Sequence, residues 1–544
     1  MPGLSDAFEH IGAVLEQRLP LTHAAGAALA VTDRDETLGV VVRGFADAAS
    51  GTPVRPETRF QIGSISKSFA AIVAMQEARA GRLDLHASVN DLVPWLGLPE
   101  PFGPITPHHL MTHSAGLVIG AEEAPSALSA LAILRNLRVG FAPGERFWYS
   151  NEGWKVMGLI LEHVTGTRVD ELLRQRVLGP LGMSSSTAAI TNDAQADCAT
   201  GYRTMFDDRP PRVSHPLVPA AWLPFNTADG SIISNVLDMA AYARMLLAGG
   251  APLLDAEGFG PLTEGVMPER DWPTFRYAYG LWVGEEDGRR RIWHSGGMLG
   301  YTALLITEPD DGLGCVMLIN GQGDRRATVR SALDAVRAAL AGTDAPPIGP
   351  PPSVTRVDNA GDYVGEYRDG DRVVSIETAG DRLVFREGER RAGLEVVEDV
   401  DDVFLIDDLE LDRWPLRFGR DEHRVVVEAF HGEAWLVNDR WRGEAALPAP
   451  GEWDAFPGLY RRANPWGPTL RVAVRKGRLV AEWNDDLEDV VEELVPMTDP
   501  ADAGWFHVGI EAWKPQWLRF DDVIDGRATR VTMNGGTWYR SFET

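Results

Sequence analysis

The sequence predicts one α/β unit, a sheet flanked by helices with a helical half inserted in it, followed by two small antiparallel β-barrels. Three observations carry this. Strand-like runs stand at both ends of residues 1–341 with helical segments between them, a Pro- and Gly-rich stretch breaks the chain at 342–352, and the tail beyond repeats itself.

The elements follow in chain order. Phe8, Ile11, Val14 and Leu15 give residues 5–18, with Asp6 in the first turn, a helical spacing of apolar positions. Strand-like runs come next at Ala27–Val31 and Leu38–Val42. Helical patterns then cover Ser64–Ala80, Ala127–Leu137, Trp154–Val164, Val169–Arg174 and Val236–Leu247. Late strand-like runs lie at Tyr279–Val283, Arg291–Trp293, Ala303–Ile306 and Cys315–Ile319, and a last helix spans Ala327–Leu340. Strands from both ends of this stretch build one sheet, and the helices between them form the inserted half.

The run GTDAPPIGPPP cannot continue a helix and reads as a linker over 342–354. Short alternating runs punctuated by Gly, Asp and Asn follow. Asp362-Tyr363-Val364-Gly365-Glu366-Tyr367-Arg368 is matched by Ala455-Phe456-Pro457-Gly458-Leu459-Tyr460-Arg461. Gly380-Asp381-Arg382-Leu383-Val384 is matched by Gly477-Arg478-Leu479-Val480, Leu416-Arg417-Phe418 by Leu518-Arg519-Phe520, and Arg424-Val425 by Arg530-Val531. Matches in one order give two copies of an all-β module, over 355–447 and 452–544, and closing each sheet removes its edges.

Composition excludes some partners. Residues are acidic at 79 positions and basic at 52, a net charge of −27, which opposes binding to nucleic acid or an anionic membrane surface. Cys198 and Cys315 form no disulfide framework and no zinc spacing. The N-terminus lacks an export-signal pattern, and no apolar run reaches the roughly 20 residues of a membrane-spanning helix. A cytoplasmic protein acting on a small-molecule or short-peptide substrate is expected. The oligomeric state is open, with a homodimer as one form.

The chemistry starts at Gly63-Ser64-Ile65-Ser66-Lys67. Ser64 opens a predicted helix, and Lys67 lies one turn on, on the same face. A serine hydroxyl needs a base before it attacks, and an amine serves once burial depresses its pKa. Lysine occurs at 67, 155, 476 and 514 only, whereas arginine is abundant. Arginine stays protonated, so lysine at 67 points to titration.

Tyr149-Ser150-Asn151 precedes another helix, and in extended backbone residues 149 and 151 face one way. Tyr149 can relay a proton to a leaving group, and Asn151 can hold a substrate carbonyl. Trp293-His294-Ser295-Gly296-Gly297 follows a strand-like run. There the Gly297 N–H can join that of Ser64 as an oxyanion hole, and His294 can donate to the intermediate or to a substrate carboxylate. A surface lysine, a capping Asn151 and a glycine bulge are the structural alternatives to these roles. His109-x-x-x-His113 has no third ligand and no general-base Glu, so no metal is expected.

Ser-x-x-Lys, Tyr-x-Asn and a late His-x-Gly, in that order, resemble the serine β-lactamase and penicillin-binding-protein superfamily, in its class C and esterase-like branch. Thr106–Leu117, Leu178–Met183 and Asp229–Ser234 look familial too, and the resemblance covers roughly residues 5–340. It implies an antiparallel sheet flanked by helices, a helical subdomain, a site between them, an acyl-enzyme on Ser64, and no metal or cofactor. The layout with two lipocalin-like barrels is most similar to bacterial D-aminopeptidases. By that analogy a loop of the last barrel reaches into the cleft. Asp485 and Asp486, in Asn484–Asp489, are candidates to bind a substrate ammonium, and Ala463–Pro468 is an alternative intruding loop. A D-stereospecific aminopeptidase or amidase, a carboxylesterase or β-lactam hydrolase, and a catalytically silent binding protein remain as readings.

Overall fold

A computed structural model describes residues 3–120, 126–270, 272–323, 325–349, 353–397, 400–444, 447–467, 469–484 and 489–541. The apolar run around Cys315 becomes the strand Leu313–Gln322, buried along nearly its whole length. It pairs with His23–Thr32 on one side and Tyr301–Glu308 on the other, so strands from the two ends of the unit meet at mid-sheet. The nine strands run Thr52–Pro53, Thr37–Asp47, His23–Thr32, Leu313–Gln322, Tyr301–Glu308, Arg289–Met298, Trp282–Glu286, Phe275–Tyr277 and Met267–Pro268, all antiparallel to their neighbours.

Helices cover both faces, which is why the central strands are apolar rather than alternating. Ile11 and Leu15 of Leu4–Arg18 join Val329, Leu333 and Val336 of Arg325–Ala341 in one core with Leu29, Val31 and Met317. Helix Val236–Leu247 packs against His23–Thr32 and Leu313–Gln322.

Two expected elements shift. Tyr279–Val283 is not all strand, because the strand begins at Trp282. Gly280 turns at φ +74°, and a Cβ there would lie 2.8 Å from the Ser68 nitrogen. Ser64 does not open the α-helix either. It sits in the 3₁₀ turn Gly63–Ile65, and the α-helix runs Ser66–Arg79. No helix among the described residues is long and apolar enough to cross a membrane.

The tail forms two closed eight-stranded antiparallel barrels, with strands from Gly365–Asp369 to Ala434–Val437 and from Gly458–Arg461 to Gly536–Arg540. The repeat is structural. The Tyr367 hydroxyl donates to the Tyr363 carbonyl at 2.7 Å, and that of Tyr460 donates to the Phe456 carbonyl at 2.6 Å.

By compactness the chain forms one unit of residues 1–203, 216–350 and 513–516, and another of 204–215, 351–512 and 517–544. The segment 204–215 is held within the barrel unit by charge. Arg209 and Arg212 donate to the buried Asp412 carboxylate at 2.6 and 3.3 Å, and His215 Nε2 lies 3.0 Å from it.

Candidate active site

Backbone packing around Ser64 assembles the site. Gly63 turns at φ +53°, and a Cβ on it would lie 2.7 Å from the Gly297 nitrogen. A Cβ on Gly296 would fall 1.9 Å from the Ile62 carbonyl oxygen. Only glycines let strand Arg289–Met298 lie this close to the turn, and the approach brings Gly297 beside the Ser64 backbone.

On the other side, Phe60 and Gln61 pair with Ser234 and Ile233, and the Ile232 N–H donates to Ser66 Oγ at 3.2 Å. This stitches the segment 225–234 to the same turn.

Lys67 is fully buried, while Ser64, Tyr149 and Asn151 keep partial exposure. Its ammonium donates to Ser64 Oγ at 2.9 Å, Asn151 Oδ1 at 2.8 Å and the Asp229 carbonyl at 2.9 Å. All three acceptors are uncharged atoms. Burial, helped by the charge of Lys155 and opposed by that of Asp229, brings the amine down to about 7. It therefore exchanges its proton near neutrality.

Tyr149 lies with its ring centroid 5.0 Å from Lys67 Nζ. Burial raises its phenol above the ordinary value and the Asp229 charge adds to this, against a hydrogen bond with Ser64. The phenol is neutral, a donor rather than a resting base. Ser150, not Asn151, caps helix Asn151–Thr165, its Oγ accepting from the Gly153 N–H at 3.1 Å. That leaves the Asn151 amide for Lys67.

His294 is buried with both nitrogens engaged. Nδ1 meets the Ser295 carbonyl, and Nε2 lies 3.0 Å from the Tyr277 hydroxyl. Burial and the Lys67 charge lower it to about 3, so it is neutral. Donating to an intermediate would require exchanging one of these bonds.

The Beta-lactamase family matches residues 11–339. The chain belongs to that family. It is 29% identical over 260 residues to an uncharacterized protein of Mycobacterium tuberculosis, spanning 42% of this chain and 63% of that one. It is 26% identical over 296 residues to a D-aminopeptidase of Brucella anthropi, spanning 52% and 53%. The chain thus covers less than two thirds of the length of these relatives. Among solved structures, the octameric penicillin-binding protein homologue from Pyrococcus abyssi superposes with a TM-score of 0.57 at 25% identity, over 80% of this chain and 99% of that one.

Within this Beta-lactamase scaffold the structure adds residues that the motifs did not identify. His113, weighed in the sequence only as a metal ligand, holds Tyr149 instead. Its carbonyl accepts from the Trp148 N–H at 2.8 Å, and its Nδ1 accepts from the Ser150 N–H at 2.9 Å. Its ring lies tilted by 31° against that of Tyr149 with centroids 4.1 Å apart. Burial and the charges of Lys67 and His294 push His113 well below its ordinary pKa, so it is neutral. His109 is committed elsewhere, its Nδ1 accepting from the Thr106 N–H at 3.2 Å.

Asp485 and Asp486 lie outside the described residues, and Ala463–Gly467 group with the barrels. The barrel residues that group with the α/β unit are Trp513–Gln516. The Trp513 ring meets Trp148 at 5.5 Å and Phe141 at 5.8 Å, and Arg146 lies 5.3 Å over it.

Proposed function

We propose that this chain is a serine hydrolase working through an acyl-enzyme on Ser64, and that it cleaves D-amino-acid amides or short peptides with a free N-terminus, as a D-aminopeptidase-like peptidase of the cytoplasm. The observation that carries the hydrolase reading is the buried Lys67 amine, hydrogen-bonded to Ser64 Oγ at 2.9 Å and titrating at about 7.

In its neutral form Lys67 takes the Ser64 proton as Oγ attacks the substrate carbonyl carbon. The N–H groups of Ser64 and Gly297 receive the negative charge that develops on the carbonyl oxygen. The neutral Tyr149 phenol passes a proton to the leaving amine and is reprotonated with the proton that Lys67 took from Ser64. Water then attacks the ester by the reverse route. Asn151 and the Asp229 carbonyl keep the amine aimed at Oγ.

Three features support an aminopeptidase over a penicillin-binding activity. His294-Ser295-Gly296 stands in place of the Lys-Thr-Gly motif of class A β-lactamases, and His294 is neutral. The Brucella anthropi D-aminopeptidase is among the matched proteins. Trp513–Gln516, from the last barrel, are proposed to trim the cleft beside Trp148. The test is turnover of D-Ala-p-nitroanilide against its L-isomer, p-nitrophenyl butyrate and nitrocefin. D-amide turnover is expected. Turnover of the ester or of nitrocefin alone replaces the reading with an esterase or β-lactam hydrolase. No turnover and no fluorophosphonate labelling of Ser64 leaves a binding protein.

A further inference from the structure

The peptide unit between Gly296 and Gly297 has two ends that face different neighbours. Its N–H belongs to Gly297, beside the turn that carries Ser64, where a Cβ on Gly63 would fall 2.7 Å from the Gly297 nitrogen. Its carbonyl oxygen, on Gly296, accepts from the Arg325 guanidinium at 3.2 Å. A trans peptide is planar, with its C=O and N–H pointing in opposite directions. Whatever holds the Gly296 carbonyl therefore also aims the Gly297 N–H.

This peptide needs such a hold. Glycine is required at 296, where a Cβ would meet the Ile62 carbonyl oxygen at 1.9 Å. Glycine on both sides leaves the unit without the Cβ restraints that limit rotation elsewhere. Pairing of Gly296 with Ala303 restrains it from strand Tyr301–Glu308. Arg325 adds a charged donor, and hydrogen bonds from charged groups are roughly twice as strong as neutral ones. A donor on the carbonyl oxygen also polarises the amide, which strengthens its N–H as a donor in turn.

Helix stability does not account for Arg325. It opens helix Arg325–Ala341 with Arg326 behind it, and cations at a helix start oppose the backbone dipole. Both arginines turn instead to strand Arg289–Met298. Arg325 takes the Gly296 carbonyl, and Arg326 lies 4.4 Å over the Trp293 ring.

We propose that Arg325 is a positioning residue for the oxyanion donor: through the Gly296 carbonyl it fixes and polarises the peptide whose N–H receives the substrate's developing charge. This rests on the serine-hydrolase reading and holds for an amide, ester or β-lactam alike.

The experiment follows phosphonylation of Ser64 by a fluorophosphonate in the full chain, which depends on no substrate assignment. Ser64 Oγ displaces fluoride from phosphorus, its proton passes to Lys67, and the phosphoryl oxygen takes the place of a substrate's carbonyl oxygen. Rates are measured against probe concentration and pH in the wild type, Arg325→Met, Arg325→Ala, Arg325→Lys and Arg330→Met, with thermal melting as the check on folding. Arg330 lies on the same helix and pairs with Glu286 and Asp287, so its variant controls for lost charge.

Arg325→Met and Arg325→Ala are expected to lower the rate at saturating probe by about ten- to a hundredfold, less than the hundred- to thousandfold of losing an oxyanion donor outright. Half-saturation by the probe and the inflection near pH 7 should stay in place, because the contact acts on the transition state and not on binding or on Lys67. Arg325→Lys should recover part of the loss, and Arg330→Met should keep a rate close to that of the wild type. An unchanged saturating rate in Arg325→Met and Arg325→Ala overturns the proposal. So does an equal fall in Arg330→Met, a Lys variant no better than Met, or a shifted inflection with the plateau intact. Wild-type protein that the probe does not label at all sinks the hydrolase reading itself.

Discussion

Lys67 in the α/β unit and Glu482 in the second barrel are both fully buried, but their neighbours differ in kind. Around Lys67 the bonded acceptors are a hydroxyl, an amide and a backbone carbonyl. Around Glu482 stand three guanidiniums. Arg417 and Arg475 donate to it at 2.9 Å each, and Arg471 lies at 4.0 Å. Burial alone would raise the Glu482 carboxyl, but the charges of Arg475, Arg417 and Arg471 outweigh it and hold the group at about 2.

Lys67 goes the other way, to about 7, because nothing bonded to it repays the lost hydration of its charge. A third case lies between them: Lys155 is also buried, but the Glu152 carboxylate holds it at 2.8 Å. Buried charge given a counter-charge builds architecture, and buried charge given only dipoles does chemistry. Arg417 comes from the first barrel and Glu482 from the second, so this ion cluster ties the two barrels together.

The largest effect that tests the contrast is at the nucleophile. Ser64→Ala is expected to lower kcat/KM by about 10⁴- to 10⁶-fold, with an unchanged melting temperature. Lys67→Arg keeps the charge but removes the ability to lose it near neutral pH, and a loss of about a thousandfold or more is expected. In the wild type, kcat/KM should rise with pH through an inflection near 7, as Lys67 loses its proton. A Lys67→Arg enzyme with near-normal rates would break the comparison at its first term.

Glu482→Gln tests the second term. It leaves three arginines without their counter-charge, and breaking a buried pair costs about 3–5 kcal/mol. Thermal melting of the full chain, followed by tryptophan fluorescence, should shift down. The sign in pH follows from the depressed carboxyl. Its folded value of about 2 lies below the ordinary 4.5, so its stabilisation is full above about 4.5 and fades as pH falls toward 2. Glu482→Gln should lack that acid-side slope. Equal melting of variant and wild type at pH 7 would show that the ion cluster is dispensable.

This contrast also sets what the sequence could show. Ser64, Lys67 and Tyr149 stood out because short motifs hold them on single turns, and the scarcity of lysine singled out position 67. The barrels were legible because Tyr367 and Tyr460 sit in matching repeats and make the same hydrogen bond. Glu482 carried no such mark. Its partners come from two other strands, one of them in the first barrel, and one acidic residue among 79 gives no hint of which is buried. Asp229 was visible as part of a familial segment, but its closeness to Lys67 depends on the pairing of Phe60–Gln61 with Ile233–Ser234. The turn at Gly280 was missed for a similar reason. Its close approach to Ser68 is a tertiary constraint that overrides an apolar run.

A smaller effect is expected at His113, which shows that an uncharged buried histidine can serve the site by position alone. At φ 55° it occupies a backbone region that Asn tolerates better than other side chains. His113→Ala removes the acceptor for the Ser150 N–H and the ring beneath Tyr149, and kcat should fall about ten- to a hundredfold, with KM little changed. His113→Asn restores an acceptor close to the Nδ1 position and should recover part of that loss. If Asn is no better than Ala, His113 does not position Tyr149 through this hydrogen bond.

The smallest effect concerns Trp513, which groups with the α/β unit. Trp513 belongs by sequence to the second barrel, yet it packs on Trp148, the neighbour of Tyr149. A Cβ on Gly140 would lie 2.2 Å from the Trp513 carbonyl oxygen, so backbone meets backbone there and glycine is needed at 140. Trp513→Ala removes bulk without touching a charge or a reacting group. The rate on D-Ala-p-nitroanilide should therefore change by no more than about threefold, while peptides of three or more residues should gain several-fold, the scale of a hydrophobic pocket's discrimination. A uniform fall across all lengths would mean that Trp513 supports the segment carrying Tyr149. An unchanged length profile would mean that residues other than Trp513 bound the cleft.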